Sequence, residues 1–402
     1  MVWTVRAPDR IKIVLGGKNL RGSGGNPAAQ GRQHDLVAKF WTSHYLEEHM
    51  KVAIIGAGLS GLSCALTLEK YGIVPDVFEQ FDRCGGRVPF ITCILQIMYR
   101  PIKDPLAHLK KYYDISITPL YTLSKIVRFS SNKIFKSSGD LGYVFEIGPS
   151  PRSLNNELYQ QLHSTEVQFN TLADYKKLSS LYDKVVIATG SPYIAKELGS
   201  WSDIMRAWVR GSVVEGNFDP NRWLVWYDKS YSNSGYAYLG PFDTNSASLV
   251  LIISDVKENE VEPIWKMFLD KEKIQYPEKQ GFILEHILGF CHPREVDNII
   301  LVGNSGGFME SVFGFGIFTG IISGVMAARA IAENSSYEEK VSILNKRLYE
   351  CYLLRQRFFP FNNKDYDNLM TMFNISPINR LIYNTNLDVI RINASLSHKF
   401  YR

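Results

Sequence analysis

Apolar positions along the chain follow three patterns. Short unbroken runs at 52–55, 183–190 and 299–302 have the length and β-branched content of strands buried on both faces. The segments 76–78 and 166–170 read as two further strands. Helical spacing follows the first run, from about residue 59 to Lys70, where Gly72 and Pro75 stop it. Leu154, Leu158 and Leu162 fall on one helical face, with Ser153 placed as the N-cap. From Trp208 to Val256 the pattern becomes a series of strands: RGSVVEG, RWLVWYD, GYAYLGPF and ASLVLIISDV, with turn residues between them. An antiparallel sheet is predicted there, in which Trp223, Trp226, Tyr236 and Tyr238 line a pocket or simply pack the sheet. Residues 101–145 alternate poorly and read as an insertion of mixed helix and loop. From Tyr337 the pattern is helical and rich in aromatic and basic residues, as in RLYECYLLRQRFFPF, which reads as a cap packed on the body. An oligomer contact and a peripheral membrane contact remain open for it.

Charge and composition narrow this picture. Residues 1–49 contain the Gly-, Asn- and Gln-rich run LGGKNLRGSGGNPAAQGRQ and no sustained period. They are expected to be a disordered leader, or to precede a true start at Met50. They carry seven Lys/Arg and four Asp/Glu, which is +3 of the net +5. The remaining chain is near neutral, and no nucleic-acid partner is indicated. No long apolar run follows a basic start, so a secretory signal is not expected. The five cysteines, at 64, 84, 93, 291 and 351, form no C-x-x-C pair, and the eight histidines are scattered. A reducing, cytoplasmic setting and no metal site follow from this. Residues 311–328 are uncharged and long enough to raise a membrane span, but four glycines (314, 316, 320, 324) and Thr319 favour a buried helix.

The chemistry-bearing stretch is 51–88. The run 52–55 is followed at once by Gly56-Ala57-Gly58-Leu59-Ser60-Gly61, then the helix, then the strand 76–78 ending on Glu79. Gly56 permits the tight turn, Gly58 lets a pyrophosphate approach the backbone, and Gly61 lets helix and strand pack closely. The helix N-terminus offers free N–H groups to the phosphates, and Glu79 is placed to accept from ribose hydroxyls. The stretch predicts an adenine-dinucleotide site that includes Leu59, Ser60 and Gln80, with Val167 beside them.

Asp82-Arg83-Cys84-Gly85-Gly86-Arg87 follows Glu79 closely, and here the chain resembles FAD-dependent oxidoreductases. In those proteins a Gly-Gly-Arg turn lies along the FAD phosphates, so the resemblance implies a phosphate contact for Arg87. The run ending Ala188-Thr189-Gly190 resembles the motif where two-domain flavoproteins pass the dinucleotide. The stretch 298–332, with Gly303-Asn304, Gly314-Phe315-Gly316-Ile317 and Gly324, resembles the C-terminal FAD motif of the geranylgeranyl reductase and aromatic hydroxylase group. There an Asp follows the first glycine and binds the ribityl chain. Here it is Asn304, which keeps the hydrogen bond without the charge. Gly316 and Ile317 would bring a helix N-terminus to the flavin ring. The spacing from Arg152 to Leu158 resembles the element that carries an arginine to the flavin in that group, and equally fits an ordinary capped helix. Cys93 loosely resembles a cysteine near the flavin, although Ile94 stands where a glycine is usual, and a small core residue fits it as well.

The expected fold is α/β: a Rossmann-like FAD-binding domain (50–207 and 285–335), an antiparallel β-sheet substrate domain (208–284) and a helical cap (336–402). The expected cofactor is FAD; no second G-x-G-x-x-G follows a strand, so either NAD(P)H binds transiently as reductant or another carrier reduces the flavin. The resemblance implies a reductase or dehydrogenase of a small apolar, isoprenoid-like substrate. A monooxygenase is disfavoured by the missing Asp-Gly motif, and a flavin-binding module without turnover is the third reading.

Overall fold

The computed structural model describes residues 50–397 apart from 87 and 384. The expected leader, 1–49, and Arg87 lie outside the described residues.

In chain order, β1 (Val52–Ile55) leads into α1 (Leu59–Lys70) and β2 (Asp76–Phe78). Next come β3 (Phe90–Leu95), α2 (Pro105–His108), β4 (Tyr121–Phe129), β5 (Ile134–Ile147) and α3 (Leu154–Gln160). After these, β6 (Val167–Gln168), α4 (Tyr175–Ser179), β7 (Lys184–Ile187) and α5 (Tyr193–Glu197) return to the first sheet. A strand-rich stretch follows: β8 (Trp201–Glu215), β9 (Arg222–Trp226), α6 (Lys229–Ser232), β10 (Tyr236–Pro241) and β11 (Ser246–Ser254). It continues with α7 (Val261–Lys271) and β12 (Glu278–Cys291). β13 (Glu295–Val296), β14 (Ile299–Leu301) and α8 (Ile317–Ala332) close the body. The last helices are α9 (Tyr337–Phe358), α10 (Asn363–Phe373), α11 (Ser376–Tyr383) and α12 (Val389–Ser397).

The unbroken apolar runs form the first sheet, in the order β13-β14-β7-β1-β2-β6. All its pairs are parallel except β13 with β14. Its central strands β1 and β14 are apolar throughout, and β7 is so after Lys184, because both faces are covered there. Val52 and Ile54 belong to the core that contains α1 and α8, while Ala53 and Ile55 share a second core with Tyr175, Leu178 and Ala195 of α4 and α5.

The second sheet has the order β12-β8-β11-β10-β9-β4-β5-β3 and is antiparallel except where β4 meets β9. One face is covered by α7, whose Val261, Trp265 and Phe268 pack on Val214, Leu239 and Leu251. The opposite face carries Trp223, Tyr236, Tyr238 and Val250 into the main core.

The strands of this sheet begin before residue 208 and end after 284, since β8 starts at Trp201 and β12 runs to Cys291. Residues 101–145 are not mixed helix and loop beyond α2 and a short π turn. They hold β4 and most of β5, in the middle of the sheet. The alternation was masked because one inward position of β5 is Ser137, which is buried and takes a 2.6 Å hydrogen bond from Arg128. A polar residue satisfied inside the fold looks like a surface residue in the sequence. Of the four aromatics, Trp226 packs the sheet: it stacks on Phe129 and meets Phe268 edge-on, under α7 and away from Trp223. Positions 223 and 226 differ by an odd number in one strand, so they face opposite sides.

The terminal helices wrap the body. Arg347 of α9 donates to Asp388 (2.9 and 3.1 Å), to Met98 O (2.7 Å) and to Arg100 O (3.0 Å). Tyr366 of α10 stacks on Tyr227, and Asn363 donates to Asp228. Among the described residues no helix is long and apolar enough to cross a membrane.

Candidate functional site

The carboxyl ends of β1, β7 and β14 lie side by side, and three loops converge there: 56–61, 188–190 and 303–306. In open α/β sheets this edge is where ligands bind. The first loop is built by close approach. A Cβ on Gly56, which has φ +106°, would meet Ala188 O at 2.5 Å, and one on Gly61 would meet Gly56 O at 2.0 Å. Gly58 differs: a Cβ there would find only Ala188 O, at 3.8 Å, so one side of the turn is open. Gly58 is also the N-cap of α1 and supplies no side-chain cap, which leaves first-turn N–H groups for a ligand. The Ser60 side chain packs against Gly303 and Gly320, joining the first loop to the third.

Glu79 is buried at the end of β2. Its carboxylate accepts from Ala57 N (2.9 Å) and Phe81 N (3.0 Å), so it holds the turn and still has lone pairs to offer. Gln80 is exposed beside it. Val167 of β6 pairs with Val77, and Gln168 O accepts from Glu79 N (3.0 Å), which fixes the strand end. Gly85 and Gly86 both have positive φ. Gly85 packs on Asn155 of α3, whereas Gly86 has open space around it.

In the second and third loops, the Thr189 hydroxyl pairs with Ser305 Oγ (3.0 Å), and Asn304 Nδ2 donates to Gly190 O (2.8 Å). The Gly303 amide is held by Ser323 Oγ of α8 at 2.9 Å. Asn304 Oδ1 is buried with no hydrogen-bond partner, although its amide nitrogen is engaged. A buried acceptor in that state costs free energy unless something donates to it.

Gly316 caps α8 with backbone alone, and Ile317 opens the helix. The preceding turn is organised by Glu310, which the sequence reading passed over. Its carboxylate accepts from Val312 N (2.7 Å), Phe313 N (3.0 Å) and Phe315 N (3.0 Å), and its own N–H reaches Phe315 O (3.0 Å). Burial pushes its carboxyl up to about 7 against the pull of these N–H groups. The signal was available: Glu310 is the lone charge between Ile299 and Ala328. A charge in so apolar a run must find donors inside the fold. His286 of β12 comes up under Gly314, and burial lowers its pKa to about 4. Tyr236 OH donates to Phe313 O (2.7 Å), so the second sheet grips the same turn.

Above the turn, Trp223 and Tyr238 stack at 5.1 Å, and Trp223 Nε1 donates to Tyr121 OH (3.2 Å). Cys93 is buried in β3. Burial, then the Glu310 carboxylate, push its thiol well above the usual range, so it stays protonated. The Arg152 side chain turns to Glu146 (3.5 Å) at the end of β5. Among the described residues no group of three or more His, Cys, Asp and Glu is arranged to hold a metal.

The sequence profile of the NAD(P)-binding Rossmann-like domain matches residues 54–92. A 4,4'-diapolycopen-4-al dehydrogenase of Metabacillus indicus is 29% identical over 149 residues, covering 34% of this chain and 30% of that protein. A digeranylgeranylglycerophospholipid reductase 2 of Methanosphaera stadtmanae is 23% identical over 192 residues, covering 43% and 48%. The matched stretches thus span less than half of each of these two curated relatives. Among solved structures, a geranylgeranyl bacteriochlorophyll reductase-like protein from Thermoplasma acidophilum superposes with a TM-score of 0.66 at 14% identity, over 86% of this chain and 95% of that one. A flavin-dependent brominase superposes with a TM-score of 0.61 at 13% identity, over 88% and 99%. The chain has the FAD-binding oxidoreductase fold. In this fold the Gly56–Gly61 turn, the Thr189–Gly190 strand end and the Gly303–Asn304 loop come together at one sheet edge. Arg152 instead engages the second sheet.

Proposed function

We infer that the chain binds FAD across the edge formed by β1, β7 and β14 and uses it to reduce or dehydrogenate an apolar, isoprenoid-like substrate. The observation that carries this is the convergence of the open Gly58 turn, Glu79 and the unpartnered Asn304 Oδ1. In this reading the pyrophosphate lies over Gly56, Gly58, Leu59, Ser60 and Gly61. Glu79 accepts from the adenosine ribose, with Gln80 and Val167 beside it. Arg87 contacts the phosphates. Thr189 and Gly190 border the dinucleotide, while Gly303 and the Asn304 amide hold the ribityl chain. Gly316 and Ile317 present the first turn of α8 to the ring, where its dipole favours negative charge.

Bound flavin supplies the hydride and electron transfer. The chain's own residues orient and enclose. Glu310 keeps three N–H groups of the turn 312–315 pointing inward and prevents that turn from opening. Trp223, Tyr236 and Tyr238 present a buried aromatic wall from the second sheet. The Cys93 thiol, buried and held protonated, is suited to fill space, not to attack. An isoprenoid substrate is supported by the two relatives, whose names specify isoprenoid compounds. NAD(P)H is proposed as a transient reductant, since FAD takes the Gly-rich turn.

A yellow protein with a flavin absorption spectrum, or a colourless one that takes up FAD tightly and non-covalently, is expected. A protein that stays colourless after incubation with FAD overturns the reading. A monooxygenase reading draws support from structural neighbours that include an oxygenase. Anaerobic reduction followed by air separates the two, because a monooxygenase consumes oxygen in a substrate-stimulated way and a reductase turns over without it.

A further inference from the structure

Among the described residues four arginines are buried: Arg100, Arg210, Arg294 and Arg355. Three of them are matched to oxygen. Arg100 donates to the carbonyls of Ile382, Tyr383 and Leu387. Arg210 reaches Glu262 (2.7 Å) and Glu278 (3.3 Å), and Arg294 reaches Gly306 O (2.7 Å) and Glu338 (3.4 Å). Arg355, near the end of α9, is different. It is 8% exposed, and its one side-chain hydrogen bond among the described residues runs from Nη2 to Met205 Sδ of β8 (2.9 Å). A thioether is a weak acceptor, so most of the guanidinium's N–H donors have no oxygen to meet. Nε and Nη1 have no partner, yet neither is sealed from solvent, so a small group can reach them.

Half-buried Lys229 of α6 is a second cation close by. Its ammonium donates to Ser234 Oγ (3.3 Å) and Phe359 O (3.2 Å), and burial, then the Arg355 charge, lower its pKa. Among the described residues no carboxylate lies within ion-pair distance of either cation. The acids around them are engaged elsewhere. Asp255 acts on both charges from beyond that distance and is exposed to water after β11. Glu310 acts on Arg355 but already accepts three N–H groups of its own turn. Asp228, next to Lys229 in the chain, accepts from Lys271, Ser131 and Asn363. The other two neighbours of Arg355 are phenols: Tyr236 donates to Phe313 O, and burial raises the pKa of Tyr366, which stays neutral. A water or a neutral carbonyl would satisfy the hydrogen bonds and leave two charges unbalanced in a poorly hydrated place. An oxyanion satisfies both, since the guanidinium fork fits a carboxylate or phosphate and the ammonium adds a point charge. Aromatic rings lead away from this point. Tyr366 stacks on Tyr227 (5.5 Å), Tyr227 meets Tyr236 (6.1 Å), and Tyr236 stands edge-on to Phe313 (5.9 Å).

We propose that Arg355 and Lys229 bind the oxyanionic end, a carboxylate or a phosphate, of an apolar ligand whose chain lies on the rings of Tyr366, Tyr227 and Tyr236. Arg355 takes the oxyanion on Nε and Nη1, and Lys229 adds charge from the half-buried side. This does not rest on the flavin reading, since β8, α6 and α9 supply the site and none of its residues belongs to the dinucleotide edge.

The test is calorimetric titration of the intact protein with four probes: decyl phosphate and decanoate below their micelle concentrations, decanol, and inorganic phosphate. Both chain-bearing acids are expected to bind, and decanol and inorganic phosphate to bind more weakly, one lacking the charge and the other the chain. Arg355→Met keeps an apolar stem of similar length and should lower the affinity for decyl phosphate about ten- to hundred-fold, as loss of a charge-assisted hydrogen bond implies. It should leave decanol unchanged. Lys229→Met should lower the affinity for decyl phosphate by about five-fold, as a partly exposed pair implies. Circular dichroism checks the folding of both, and the half-buried Lys229 decides the matter if Arg355→Met does not fold. Four results overturn the proposal: no binding of any probe, decanol binding as tightly as decyl phosphate, inorganic phosphate binding as tightly as decyl phosphate, or parental affinity for decyl phosphate in the folded variants. A protein that binds decyl phosphate in this way but takes up no FAD would keep this site and lose the flavin reading.

Discussion

Glu310 carries a pH dependence that the structure fixes in sign. Its carboxyl is 2% exposed and is held at about 7, above its ordinary 4.5, because burial disfavours the charge. Between those values the folded chain keeps a proton that the unfolded chain has released. Stability from this group therefore falls as pH rises from about 4.5 to 7, by about 3 kcal/mol in total. His286 works in the opposite direction in nearly the same window. Its pKa is lowered to about 4 from 6.5, so its contribution is fully present above 6.5 and is lost as pH drops toward 4. The parent's stability curve alone mixes the two, and Glu310→Gln separates them. Glutamine keeps the shape and one oxygen for Phe313 N and Phe315 N, but turns an N–H₂ toward Val312 N. At pH 4.5 the parent should be the more stable by about 1–3 kcal/mol, the cost of one orphaned buried donor. By pH 8 that advantage should have shrunk by about 3 kcal/mol. Urea unfolding of the flavin-free proteins, followed by tryptophan fluorescence, reads this directly. With an m value of about 3 kcal/mol per M, the gap between midpoints should move by about 1 M. A gap that is constant with pH, or that widens toward alkaline pH, refutes the argument.

Three further predictions follow from the same geometry. Glu79→Ala should lower FAD affinity about ten- to hundred-fold, as loss of a charge-assisted bond of roughly 1.5–3 kcal/mol implies, while Cys93→Ala should leave it unchanged; titration of both apo-proteins with FAD decides it. Gly61→Ala puts a Cβ 2.0 Å from Gly56 O and should cost about 3 kcal/mol, whereas Gly190→Ala has nothing within 4 Å and should cost only about 1–2 kcal/mol for its positive φ, an order that melting curves will confirm or reverse. Arg347→Ala leaves Asp388 without its cation, with only Arg391 N still donating to it, and removes a donor from two carbonyl oxygens; about 3 kcal/mol should be lost, and limited proteolysis should cut the C-terminal helices sooner than in the parent.

The geometry of the Gly56–Gly61 turn was legible in the sequence because its requirements are local. Within 51–88, a strand, three glycines at fixed spacing, a helix and an acid follow one another, and Gly56 and Gly61 prove to be places where a Cβ has no room. The strands from β8 to β11 were legible for a similar reason: runs of β-branched and aromatic residues between turn signals state their own conformation. The central strands β1 and β14 were readable because burial on both faces leaves no polar position in the run. All of this information sits within a few residues of where it acts.

Only the tertiary structure decided how these pieces share space. β4 and β5 looked irregular because the inward Ser137 is satisfied by Arg128, a partner nine residues away whose orientation depends on the formed sheet. β4 joins β9 in parallel, Ile126 beside Trp223, across a separation no local pattern encodes. Trp223 and Trp226 look alike in sequence, yet one meets Tyr238 and the other lies under α7, because the pleat sends them to opposite faces. Arg152 turns toward Glu146, whose place is set by the pairing of β3 with β5. Glu310 reads as a stray charge until its turn closes around it and supplies three N–H groups. Local sequence fixes what a segment can form. Which face a side chain presents, and which distant group satisfies a buried charge, is settled only when the sheets and helices close on one another.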